Sequence, residues 1–170
     1  MNELVIRNRQ RARRVNVTLL RMMTKATLND LVGPQGYELG IHLIAAPEMT
    51  LLNETFLQHE GSTDVITFDN SEPAPRRQTP DPRPQLHGEI FICIDDAIKQ
   101  ARQFRTTWQS ELTRYVIHGV LHLLGHDDLN LAARRKMKRE ENRLLREITR
   151  SFPIADLAKP SYQRVNRKSK

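Results

Sequence analysis

The sequence predicts an α+β domain: a small mixed β-sheet with helices packed mainly on one face and a metal site at the end of a central helix. Three observations carry that expectation. Short β-branched and aliphatic runs alternate with longer segments of helical periodicity, in the order β-α-β-α-β-β-α-α-α. No break in composition divides the 170 residues into two units that could each bury a core. One strongly apolar helix ends in a close group of histidines and aspartates.

The elements follow in order. ELVIRN (3–8) is short enough for an edge strand. RRVNVTLLRMMTKATLND (13–30) places Val17, Leu20, Met23 and Leu28 near helical spacing until Gly33, Pro34 and Gly36 break it. YELGIHLIA (37–45) alternates as a strand, and Pro47 suits the first turn of a helix through EMTLLNETFLQ. STDVITFDN (62–70) is the third strand. NSEPAPRRQTPDPRPQL (70–86) holds five of the nine prolines and almost nothing apolar, so it reads as an extended loop within one domain. HGEIFICI (87–94) resumes the sheet, and Asp95 and Asp96 complement the N-terminal dipole of a helix through AIKQARQFR. Two helices close the fold. One runs from about Ser110 to Leu124; the other, from about Asn130 to Arg150, sets Met137, Leu144, Leu145 and Ile148 on one face and Arg and Lys on the other. The expected domain is 1–155, followed by a basic, disordered tail at 156–170.

Composition narrows the function classes. Hydrophobic residues at 38% and charged residues at 28% suit a soluble globular chain, and no apolar run reaches bilayer length. MNELVIRNRQRARRV has arginines where a signal peptide needs its apolar stretch, and the single Cys93 excludes an internal disulfide, so a cytoplasmic location is expected. Lys and Arg outnumber Asp and Glu by 27 to 20, a net charge of +7. Such a surface attracts polyanions, of which nucleic acid is the commonest in a cell. The run RNRQRARR (7–14) reads either as an RNA-contacting arm or as the solvated edge of a strand and helix start.

HGVLHLLGHDD (118–128) carries the chemistry. His118 and His122, four residues apart, share one helix face and can grip one ion at the roughly 2.0–2.1 Å of zinc–nitrogen bonds. Gly125 permits the left-handed residue that ends the helix and turns the chain back, so that a residue at 126–128 can serve as third ligand. The spacing resembles that of metzincin proteases, but Gly119 stands where those enzymes have their general-base glutamate. Glycine cannot move a proton, so peptide hydrolysis is unsupported.

The same segment resembles the signature of the YbeY family of bacterial metal-dependent endoribonucleases, roughly His-Gly-x-Leu-His-Leu-x-Gly-Tyr-Asp-His. LNETFLQHEGSTDVITF (52–68), LHGEIFICIDDAIKQA (86–101) and MKREENRLL (137–145) are similar to further family segments in the same order, so the resemblance covers about 37–146. It implies one zinc ion per chain, another divalent metal being possible, held by His118 and His122 with His118 at the catalytic centre. The family's third histidine is Asp128 here; His126, at the place of the family tyrosine, is the rival. An aspartate oxygen can fill a zinc site, making it harder and less selective against manganese. The family's phosphate-contacting arginine is Leu57 here, and leucine cannot clamp phosphate, so Arg114 and Arg105 are the candidate substitutes. Thr63 and Asp64, which match the family, read either as structural caps or as direct participants.

The implied function is metal-assisted cleavage of single-stranded RNA in ribosomal RNA maturation, at the 3′ end of 16S rRNA, and in ribosome quality control. Three protein ligands leave a fourth position for water, the mark of a catalytic site. The implied partners are single-stranded or ribosomal RNA and ribosomal proteins or small-subunit assembly factors, with no membrane. Leu57 keeps a second reading open, a metal- and RNA-binding ribosome assembly factor that does not cut.

Overall fold

The computed structural model describes residues 2–33, 36–71 and 85–160. Strands β1 (Asn2–Asn8), β2 (Gly36–Ile44) and β4 (Gln85–Cys93) run parallel, and β3 (Val65–Asp69) returns antiparallel along β4. The order is β1-β2-β4-β3, with Ile6 beside Ile41, Ile41 beside Ile90 and Ile90 beside Thr67. Central β2 is buried at all but one position, the pattern of a parallel strand covered on both faces.

The helices are α1 (Val17–Ala26), α2 (Ala46–Leu52), α3 (Ile94–Phe104), α4 (Trp108–Leu123) and α5 (Leu131–Ser151). Three open on side-chain caps: Asn16 accepts the Leu19 amide at 3.0 Å, Thr107 that of Ser110 at 3.2 Å, and Asn130 that of Ala133 at 2.9 Å. On one sheet face Leu39, Ile41, Leu43, Ile90 and Ile92 pack against Leu20, Met23, Leu112, Val116 and Val120, the main core. The other face carries a smaller cluster of Ile44, Met49, Ile66 and Cys93, to which α2 contributes. The α+β architecture with helices mainly on one face is as the sequence predicts.

Differences lie at the ends. The α1 and α2 segments each finish in a π-helical turn, Thr27–Val32 and Asn53–Leu57, closed by left-handed Gly33 and Gln58. Strand β4 starts at Gln85 with Leu86 already buried, so the sheet claims the last residues of the expected proline-rich loop; 72–84 lie outside the described residues. The expected tail begins inside a 3₁₀ turn, Ile154–Ala158, whose Leu157 is fully buried in the main core. The folded body therefore continues past 155, and 161–170 lie outside the described residues.

Candidate metal centre

Two glycines bring the histidine helix down onto the sheet. A Cβ on Gly119 of α4 would meet Ile90 Cδ1 and Cγ2 at 2.8 Å, and one on Gly88 of β4 would meet the Phe68 carbonyl at 2.6 Å and Leu123 Cδ2 at 2.7 Å. Any larger residue would lift α4 off β4. Gly119 thus has a packing role, which accounts for it where a protease would need an acid. Helix α4 then closes in a Schellman motif: the His126 amide donates to the Leu121 carbonyl at 3.0 Å, and that of Gly125 to His122 at 2.9 Å. Gly125 sits at φ +92°, a conformation other residues adopt only under strain, and the reversal returns 126–128 toward the helix face.

Hydrogen-bond partners set the histidine tautomers. His122 Nδ1 lies 3.0 Å from the His126 carbonyl, which can only accept, so Nδ1 carries the proton. His118 Nδ1 lies 3.0 Å from Glu141 Oε2 and donates to that carboxylate. The two Nε2 atoms, 3.0 Å apart, are therefore both bare lone pairs when the rings are neutral. Two lone pairs at that distance repel, and a shared cation relieves the repulsion. Asp128 completes the group: one ligand atom from each of His118, His122 and Asp128 lies within 4.8 Å of the others, the one such cluster among the described residues. Burial, then the neighbouring His118, lowers the pKa of His122, which favours the neutral, ligating ring. Two imidazole nitrogens and a carboxylate oxygen suit zinc or a comparable divalent ion.

Glu141 holds the arrangement from α5. Burial alone would raise its pKa, but hydrogen bonds from His118, Arg114 and Lys138 outweigh that and bring it to about 2. Arg114 reaches Glu141 Oε1 at 2.5 Å and Asn142 at 2.9 Å, and Lys138 reaches Oε1 at 3.0 Å. Beside this cluster opens a cleft of about 610 Å³. His118 and Asp128 of the cluster line it, and Arg134 and Lys138 of α5 form part of its wall. Arg134 also donates to the Asp128 carbonyl at 3.3 Å.

The structure gathers His118, His122 and Asp128. The rival His126 supplies a backbone carbonyl, and its ring is outside the cluster. Arg114 lines the cleft but is committed to Glu141 and Asn142. Arg105 is the exposed, left-handed C-cap of α3, φ 55°, and is not among the residues lining the cleft. Asp64 accepts from its neighbours, the Thr63 hydroxyl at 3.2 Å and the Val65 amide at 2.9 Å, and also lines the cleft. Within 7–14, Arg9 pairs with Glu48. Glu141 and Arg134 escaped the sequence reading, although Glu141 left a signal: it interrupts the buried stripe of Met137, Leu144 and Ile148.

Fold and site together define an α+β domain built around a candidate single-metal centre in an open cleft. The family model described as endoribonuclease YbeY matches residues 5–149, and the chain belongs to the YbeY family. Among curated relatives, the endoribonuclease YbeY of Myxococcus xanthus is 37% identical over 112 residues, 66% of this chain and 37% of that protein. That of Salinibacter ruber is 36% identical over 98 residues, 57% of this chain and 61% of its own. The matched stretch thus spans less than two thirds of either relative. The solution structure of TM1509 from Thermotoga maritima shares the fold, with a TM-score of 0.60 and 24% identity, covering 91% of this chain and 96% of that one. Among the described residues no helix is long and apolar enough to cross a membrane.

Proposed function

We propose that this chain is a metal-dependent endoribonuclease that cuts single-stranded RNA in the cytoplasm during ribosomal RNA maturation, at the 3′ end of 16S rRNA, and in ribosome quality control. The carrying observation is the pair of lone-pair nitrogens held 3.0 Å apart beside Asp128, at a cleft whose wall also presents Arg134 and Lys138. His118, His122 and Asp128 would hold one zinc ion, or another divalent metal. Such an ion, when bound, supplies Lewis acidity toward a phosphoryl oxygen and acidifies water.

The chain's own residues do the rest. Glu141 fixes the ring of His118 in its ligating tautomer. Arg134 takes over from the family arginine: its guanidinium lies on the cleft wall next to Asp128, with a single bond to a carbonyl, and is placed to grip a phosphate. Lys138 adds a second positive charge, while Arg114 acts mainly by pinning Glu141. Ribosomal proteins or small-subunit assembly factors would bring the RNA end to the cleft. One observation favours the second reading, a non-cutting assembly factor: Leu57 is 45% exposed and offers no charge where the family has its arginine.

The test is cleavage of a single-stranded RNA by the wild type and by His122→Ala, each with and without chelator. The enzyme reading expects cutting that vanishes with either the substitution or the chelator. RNA binding without cutting by any of the proteins would support the assembly factor.

A further inference from the structure

The cleft has two chemically different ends. At one stand His118 and Asp128 with Arg134 and Lys138. The other is built from the end of α3 and the start of α4, with Gln100, Phe104, Thr106 and Glu111. Glu111 lies seven residues, about 10 Å of helix, from His118 along α4. It is buried and accepts the Thr106 hydroxyl at 2.5 Å. Phe104 is unusual here: its ring is 61% exposed, packs in none of the core clusters among the described residues, and yet lines the cleft. Gln100 lies one turn earlier on the same face of α3 and lines the same space.

We infer that this far end is a nucleobase subsite, with Phe104 as its stacking surface and Gln100 reading the edge of the base; the inference rests on the RNA-cleaving reading above. Charge decides which part of a nucleotide goes where. Glu111 puts a carboxylate on the wall of the far end and repels phosphate from it, whereas Arg134 and Lys138, with a cation held by the histidine cluster, would draw phosphate to their own end. What remains for the far end is the neutral, flat part of the nucleotide next to the bond being cut. An exposed aromatic ring accepts any base by its π-face, and a carboxamide offers both a donor and an acceptor to the base edge. The volume, about 610 Å³, is within the roughly 300–1,000 Å³ range of small-ligand sites, enough for a phosphate at one end and a base at the other. The subsite would give the enzyme a positional preference that charge alone cannot supply.

The experiment walks one abasic nucleotide through a short single-stranded RNA and measures kcat and KM for wild type, Phe104→Ala, Phe104→Leu and Phe104→Tyr. For wild type, one abasic position close to the cut raises KM by roughly 5- to 150-fold, the worth of one stacked base. Phe104→Ala shows that loss already on intact RNA and no further loss at that position. Tyrosine restores the wild-type pattern; leucine, apolar but not flat, does not. Because the ring is exposed, its removal leaves no cavity to unfold the protein. An unchanged KM for Phe104→Ala, or the same abasic sensitivity in all four proteins, overturns the subsite while leaving RNA cleavage standing. If wild type cuts nothing, the cleavage reading falls, and the subsite is judged by 2-aminopurine placed along the RNA with chelator present. Fluorescence quenching at one position that Phe104→Ala abolishes sustains the subsite; equal quenching, or none, sinks it.

Discussion

A buried carboxylate that accepts from an imidazole, a guanidinium and an ammonium group at once dictates how the imidazole must turn. Glu141 does this for His118, and the His126 carbonyl does it for His122. Outer partners of this kind are worth roughly 10- to 100-fold in metal affinity. Glu141→Gln is expected to weaken zinc binding by about that factor with the fold retained, as read by competition with a chromophoric chelator; unaltered affinity would deny Glu141 its orienting role. Local spacing made His118 and His122 legible and left the third position open among 126–128, where the family resemblance pointed to Asp128. Glu141 was not legible, since it lies 23 residues beyond His118 and meets it only through the packing of α5 on α4. A second residue-scale expectation concerns Cys93, fully buried and pushed by that burial to about 12 from an ordinary 9.0. A folded pKa above the unfolded one means stability that is full below pH 9.0 and lost as pH rises toward 12. Tyr115, raised first by its burial, acts in the same sense. The melting temperature should fall across that window, and less steeply in Cys93→Ala.

At the scale of the element, the close approach of α4 to β4 governs where the ligands sit. Replacing a helical glycine by alanine ordinarily stabilises by about 1 kcal/mol. At Gly119 the sign should reverse. Ile90, fully buried, has three side-chain carbons within 3.1 Å of the new methyl, and overpacking of that kind costs about 1–3 kcal/mol. Urea denaturation of Gly119→Ala should show a net loss of stability; a gain would mean that the helix is free to lift. Periodicity marks each strand and helix in the sequence, with most ends within two or three residues of where they fall in the fold. It missed the π-helical turns, which have no periodic signature, and the packing of Leu157, which depends on where the chain lies after α5. Gly119 was legible only as a missing acid, because its packing partner is on a strand nearly 30 residues upstream.

Over the whole molecule the charge is unevenly placed. Helix α5 carries eight basic residues against three acidic ones, and two of the eight, Arg134 and Lys138, line the cleft. Single-strand binding should weaken linearly on a log–log plot against salt, with a slope of about −0.7 per phosphate neutralised. Arg134→Gln should make that slope shallower by about 0.7, and an unchanged slope would remove Arg134 from the phosphate path. The net charge of +7 led to the expectation of a polyanion partner, but only the fold shows which basic side chains line the cleft.

We propose that Asp128 completes a single metal centre where the family signature has a histidine. The direct measurement is metal content per chain, by mass spectrometry, together with RNA cleavage, for wild type, Asp128→Ala and Asp128→His. One metal and full cutting in wild type, both largely restored in Asp128→His and both lost in Asp128→Ala, is the expected result. An Asp128→Ala protein that keeps its metal and cuts like the wild type would contradict the account and move the third ligand elsewhere.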